Sequence, residues 1–438
     1  MFETLKNVFR VKEMRRKLLY VLGMILVIRF GSQLPVPGVD SEVFKEWFQS
    51  NSGDAFNFFD AFTGGSFESM SVFALGITPY ITSSIIIQLL TIAIPALEEL
   101  HKDGEEGRKK MTAITRYVTV GLALFESIAM TIGFGRSNII PNLTFLSGAV
   151  VVITLTAGSA ILMWIGEQIT EKGIGNGISI ILAVNIVSRI PSDLVTLFEN
   201  FVKGKTIAKG LLAAVIIIAI ILVVVVFVLI LNGAERRIPV QYSKKMVGRK
   251  LMGGQSTHIP LKVNTAGVIP VIFASSIISF PGVIAQFAGK ANGTGIGAEI
   301  IKGLSSNNWC NPSQLKYSWG LILYIVLCVF FAYFYTSITF NPLEVADNIK
   351  KQGGVIPGIR SGKPTSDYLT KILNYIIFIG VVGLIIVAVN PIFFNGVFGA
   401  SVSFGGTAII IVVGVVLDTV KQIESQMLGR NYKGFLNN

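Results

Sequence analysis

The sequence predicts an all-α polytopic membrane protein with ten spans, and three observations carry that prediction. The 438 residues hold only 37 Lys and Arg and 25 Asp and Glu, so charged residues make up 14% of the chain, where a soluble chain carries roughly 25%. Ile, Val, Leu and Phe gather in long blocks between short polar stretches, and about 18 apolar residues suffice to cross a bilayer as a helix. The formal net charge of +12 is spread as membrane loops spread it, with Lys and Arg held to one side.

The first span covers about residues 18–34, behind Lys6, Arg10, Lys12, Arg15, Arg16 and Lys17. Basic residues ahead of an apolar run imitate a signal peptide, but the run continues through Arg29 to Gln33 without a small-x-small cleavage pattern, so it reads as a retained span. Spans 2 to 5 fall at about 72–94, 116–134, 145–165 and 174–188. Spans 6 to 10 fall at about 211–231, 266–286, 318–338, 372–392 and 405–419. With the N-terminus cytoplasmic, the inner segments hold 27 basic and 14 acidic residues and the outer segments nine of each. Both termini are therefore expected inside, and the surplus sits there. Cytoplasmic loops 232–265 and 339–371 are too short to fold as domains without help from a partner or from each other.

Ten spans divide into five and five. An odd number of crossings per half turns the second half upside down, as an inverted repeat requires; the halves are placed at 1–190 and 191–438. Three segments break the helical pattern. Residues 60–71 carry Gly64-Gly65 and polar spacing, span 2 contains Gly76-Ile77-Thr78-Pro79, and span 5 opens on Gly173, Gly175 and Gly177. Such backbone enters a membrane only where protein or water satisfies it; kinks and close helix packing are the plainer reading.

Catalytic and nucleotide motifs fail on inspection. Residues 357–364 imitate a phosphate-binding loop, but Pro357 replaces its first glycine and Pro364 its Ser or Thr. The spaced glycines at 173–177 join two spans rather than a strand and a helix. His101 and His258 stand in different loops, and Cys310 and Cys328 build neither a disulfide framework nor a metal cluster. No cofactor or metal is expected. Arg29 and Glu126 are costly in hydrocarbon; Arg29 is read as snorkelling from a helix end and Glu126 as facing another helix. Loop 232–265 carries Arg236, Arg237, Lys244, Lys245, Arg249, Lys250 and Lys262 against Glu235 alone, and loop 339–371 carries Lys350, Lys351, Arg360, Lys363 and Lys371. Attraction to anionic lipid explains part of this; docking of an acidic protein or a nucleic acid is the other explanation.

Five stretches carry a resemblance: FALGITPYITSSIIIQLL at 73–90, EKGIGNGISI at 171–180, QSTHIPLKVNTAGVIPVIFASS at 255–276, PGIRSGKPT at 357–365 and SFGGTAIIIVV at 403–413. Through them the whole chain resembles the SecY family, the channel subunits of the bacterial Sec protein translocase. The resemblance implies two inverted five-helix halves around a central hourglass pore, with a half-inserted plug helix, in the bacterial inner membrane. It implies a pore ring of Ile77, Ile81, Ile178, Leu182, Ile272 and Ile411, with Leu182 departing from an all-isoleucine pattern. It places a plug at 60–71, here Phe62, Gly64, Gly65, Phe67 and Ser69, and a lateral gate at Gln88, Ser275 and Ser276. Docking falls to Arg249, Lys250 and Arg360. The implied partners are the SecE and SecG subunits, the SecA motor ATPase, the ribosome, signal sequences with their nascent or preprotein chains, and membrane lipid. An inverted-repeat secondary transporter of a small solute, and a membrane enzyme or insertase, are the competing classes. The first requires convergent polar groups at the midplane; the second requires a catalytic constellation.

Overall fold

The computed structural model describes residues 11–51, 60, 62–136, 139–140, 144–203, 207–242, 245–247, 250–252, 256–287, 295–312, 314–398 and 406–435. In chain order the elements are α1 (Lys12–Gly31), α2 (Ser41–Asn51), α3 (Thr78–Ala93), α4 (Pro95–Lys102), α5 (Gly104–Arg136), α6 (Phe145–Lys172), α7 (Gly177–Phe201) and α8 (Ile207–Gly233). A hairpin region follows with β1 (Glu235–Tyr242), β2 (Lys245–Val247), β3 (Lys250–Met252) and β4 (Ser256–Lys262). The remainder comprises α9 (Ile269–Phe287), α10 (Ile296–Leu304), α11 (Trp319–Thr339), α12 (Pro342–Lys351), β5 (Gly354–Val355), α13 (Lys363–Phe398) and α14 (Gly406–Phe435). Among the described residues six helices are long and apolar enough to cross a membrane: Gly104–Gly135, Phe145–Lys172, Gly177–Glu199, Ala214–Gly233, Leu315–Lys351 and Lys363–Val397. Thr78–Ala93 and Ile269–Gly282 are shorter apolar helices.

All ten apolar runs lie on helices, but their ends move. Span 2 starts late: residues 72–77 form turns and α3 begins at Thr78. The cause is local. Gly76 takes a φ of 59°, open to glycine and strained for other residues, and Pro79 sits in the first turn of α3, where its missing N–H leaves no helical bond unmade. Gly158 of α6 holds this turn close, since a Cβ there would run into the Val72 carbonyl. Span 5 extends to Phe201 through Pro191.

The prediction of an all-α chain needs correction in the two basic loops. β1 pairs antiparallel with β4, and β5 from the second loop adds to the other edge of β1, giving the order β4-β1-β5. Ile238 and Val240 point inward from β1 and join Leu261, Ile349, Ile356 and Leu369 in one apolar cluster. The loops thus fold together, one supplying two strands and the other a strand and the helices beneath. The period-two alternation of residues 238–242 was the available signal. Pro239 and Pro260, which pair with His258 and Arg237, concealed it, because proline normally argues against an interior strand.

Packing separates the helices into two groups. α1, α3, α5, α6 and α7 pack among themselves, as do α8, α9, α11, α13 and α14. Two seams join the groups: α7 against α8 and α14 on one side, α5 against α9 on the other. Polar side chains cross between helices inside the first group, with Ser83 Oγ donating to the Thr115 carbonyl at 2.8 Å and Ser127 Oγ lying 3.1 Å from Thr156 Oγ1. In lipid, where apolar surface gains little by leaving the solvent, such bonds and small-residue packing hold helices together at about 0.6 kcal/mol per bond.

Candidate constriction and plug seat

One apolar cluster lies where the two groups meet. Ile77, Leu182 and Ile411 are buried in it, and Ile81, Ile178 and Ile272 pack against it half-buried. These six residues come from four elements: the start of α3, α7, α9 and α14. Asn176 caps α7 by accepting the Ser179 N–H at 3.2 Å, which fixes where the helix begins and sets Ile178 and Leu182 one turn apart on one face. The glycine turn at 76 does the same for Ile77, which caps α3 one turn before Ile81. A narrow ring of branched aliphatic side chains excludes water and hydrated ions by dewetting, and offers no polar group to hold a passing molecule.

Phe62 belongs to the same cluster, so segment 60–71 touches the ring directly. The segment is not a continuous helix as expected. Asp60, Phe62 and Thr63 are helical, residues 64–70 are turns, and Ser71 bridges to Pro35. Its far side is apolar: Phe67 meets Phe44 and Phe48 of α2 edge-on, at ring centroid distances of 5.7 and 5.8 Å. Ser69 Oγ donates back to the Gly65 carbonyl at 2.9 Å, closing the turn on itself.

Its near side is polar, and this arrangement was missing from the sequence reading. Asp60, with a fully buried side chain, pairs with Arg189 of α7, whose side chain is 18% exposed. The other Asp60 oxygen accepts the Glu68 N–H at 2.8 Å. Asn185 Nδ2 donates to the Phe62 carbonyl at 3.0 Å, and Ser188 Oγ donates to the Gly64 carbonyl at 3.3 Å. Gly64, at φ 68°, sits so close that a Cβ would lie 2.7 Å from the Asn185 carbonyl oxygen. Arg29 does not snorkel. It turns inward and donates to the Val184 carbonyl and Asn185 Oδ1, each at 3.0 Å, and to the Gly64 carbonyl at 3.5 Å. The available signal was a lone acid at 60 and a lone base at 189, each beside an apolar span. Counting them as balanced outer-loop charges hid their partnership.

The remaining expected residues lie apart from this centre. Gln88 is exposed on α3, while Ser275 and Ser276 are half-buried on α9. Ser275 lies close to Tyr324 of α11, within its own helix group. Glu126 on α5 has a buried Oε2 without a hydrogen-bond partner among the described residues. Arg249 lies outside the described residues, and Lys250 opens β3 in the β2–β3 hairpin. Arg360 is exposed in the turn between β5 and α13, held by glycines of positive φ at 358 and 362 and by Thr365 Oγ1 donating to its carbonyl at 2.8 Å. Arg236, Lys350, Lys351 and Lys363 are also exposed in the two basic loops. Arg237 is engaged locally: its guanidinium bonds Glu235 at 2.7 Å and holds that carboxyl below its ordinary range.

A family model described as SecY matches residues 71–420, which include all six ring positions. The chain belongs to the SecY family. Relatives described as "Protein translocase subunit SecY" are 44% identical in Streptomyces galbus and 43% in Halalkalibacterium halodurans, each covering 100% of both chains. Solved channels share the fold at lower identity. One described as a protein-conducting channel is 20% identical with a TM-score of 0.61, covering 94% of this chain and 92% of the other. Canine Sec61 in a ribosome–channel complex is 18% identical with a TM-score of 0.59 and the same coverage.

Proposed function

We propose that this chain is the central protein-conducting channel of a Sec translocase. It passes unfolded secretory polypeptides across the membrane through the six-residue ring and releases hydrophobic segments sideways into lipid. The observation that carries this reading is the meeting of six aliphatic side chains from both helix groups in one cluster, covered by segment 60–71. A pore for many unrelated sequences works best where its narrowest point binds none of them. The ten apolar helices are its membrane spans, arranged as inverted halves 1–190 and 191–438 in a bacterial inner membrane with both termini cytoplasmic. Segment 60–71 is the plug.

The α5–α9 seam is the lateral gate. A hydrophobic signal sequence wedges there because the opposite seam, where Gly175 N–H donates to Gln422 Oε1 at 3.0 Å and Lys17 to Gln426 Oε1 at 3.3 Å, ties the two groups by polar bonds. Arg249, Lys250 and Arg360 dock the ribosome or the SecA motor, since Arg and Lys pair with RNA phosphate and with carboxylates alike. SecE and SecG complete the complex. The channel itself catalyses no reaction; the motor or the ribosome supplies the driving force. The solute-transporter reading is disfavoured because the six side chains that meet at the constriction are all aliphatic and offer a solute no convergent polar groups.

Purified channel in vesicles tests this. With a motor and nucleotide added, a preprotein should become protease-protected inside, and an engineered disulfide joining α5 to α9 across that seam should stop it. Saturable uptake of a small solute without motor or ribosome, or passage unaffected by the crosslink, would contradict the proposal.

A further inference from the structure

The plug's near side poses a physical question. Two buried charges in a bilayer are expensive, and well-packed apolar residues of similar volume would hold the segment at least as firmly. What an ion pair provides that apolar packing does not is sensitivity to water. Coulomb attraction scales inversely with the local dielectric constant, so a contact that is strong while dry weakens severalfold once water reaches it. In this structure the Asp60 side chain is fully buried and that of Arg189 only 18% exposed, and Phe62, two residues on from Asp60, belongs to the aliphatic cluster. Buried Asp193 lies one helical turn beyond Arg189 on α7, and Arg29 on α1 reaches the Gly64 carbonyl of the segment, so the pair has further charges around it.

The geometry also shows what the pair positions. The segment meets α1 and α7 through the Asp60 carboxylate and through the backbone carbonyls of Phe62 and Gly64. Carbonyls are present whatever the residue; the Asp60 carboxylate is the only charged anchor that the segment offers α7 among the described residues. It also organises the segment internally, through the Glu68 N–H on its second oxygen at 2.8 Å. One side chain therefore ties the fold of the turn to its attachment. We infer that Asp60 and Arg189 are positioning residues that seat segment 60–71 in the resting channel, and that water entering with a translocating chain releases their contact. The inference rests on reading 60–71 as the plug.

The test is the resting ion conductance of the purified channel complex in planar bilayers, paired with export of a preprotein whose signal sequence is crippled. Asp60→Asn and Arg189→Gln should each raise resting conductance about tenfold or more, because each leaves one buried charge uncompensated. Asp60→Glu and the exchange Asp60→Arg with Arg189→Asp should return conductance to within about twofold of the parent. Export of the crippled preprotein should rise and fall with the leak. Gly64→Val, which presses on the Asn185 backbone without altering charge, should also leak. If deletion of residues 62–70 leaks while both single variants seal as the parent does, the latch is wrong and the plug stands. If the deletion leaks nothing, the plug reading itself fails. Should the single variants not accumulate, an exchange variant that accumulates and seals supports the pair, whereas one that leaks or fails to accumulate overturns it.

Discussion

Channels carrying Ile411→Asn or Ile272→Asn are expected to conduct ions at rest and to export chains with defective signal sequences. Ile411 is buried and Ile272 half-buried in the same cluster, on helices from one side of the constriction. An amide placed there without partners costs about 1–3 kcal/mol while the ring is dry and much less once it is wet. That difference shifts a closed–open equilibrium by about 5- to 150-fold toward open. Single-channel recording checks the shift, and resting conductance equal to that of the parent would remove either residue from the ring. Asn at Ile238 is the informative comparison: Ile238 is equally buried but in the β4-β1-β5 sheet, and the change should disturb that sheet without opening the pore.

Arg360→Glu is expected to abolish motor-driven export while the protein remains folded and inserted. The turn around Arg360 is held by backbone conformation and by the Thr365 hydroxyl, not by the guanidinium, which is exposed. Reversal therefore costs the fold little and strikes the partner. A cation meeting acidic or phosphate groups becomes an anion meeting them, and like charges across an interface cost several kcal/mol. Preprotein import into inverted membrane vesicles should fall at least about a hundredfold, with normal protein levels in the membrane. Normal import would take Arg360 out of the docking surface. Lys350→Glu, on the neighbouring exposed face of α12, should weaken import in the same direction but less.

The sequence displays long apolar runs openly because a bilayer demands them, and every run became a helix. The gathering of Lys and Arg in particular loops is equally legible, since it follows from insertion energetics rather than from tertiary contacts. What the sequence conceals depends on pairing between distant segments. β1 and β5 are separated by more than a hundred residues and pair only because α12 and the start of α13 bring their loops together. Asp60 and Arg189 lie beside different spans, more than a hundred residues apart in the sequence. Arg29 lies near the end of α1 and by position alone should snorkel, but carbonyl oxygens of Gly64, Val184 and the Asn185 side chain draw it inward. The proposed ring is legible only through family resemblance. Ile, Leu and Phe fill membrane helices so generally that nothing in the spacing of Ile77, Ile178, Ile272 and Ile411 separates a pore lining from ordinary packing.

The central claim is that these aliphatic residues surround a passing polypeptide, and crosslinking to a stalled chain tests it most directly. Single cysteines at Ile81, Ile178, Ile272 and Ile411 should each form a disulfide with one cysteine placed mid-way along a preprotein jammed across the membrane by a folded C-terminal domain. All four should react at the same position of the jammed chain, within a few residues, because one narrow ring encloses it. A cysteine at Val223, on the outward face of α8, should not react. Reaction at Val223 with none at the four ring positions would show that the chain crosses elsewhere and would contradict the account.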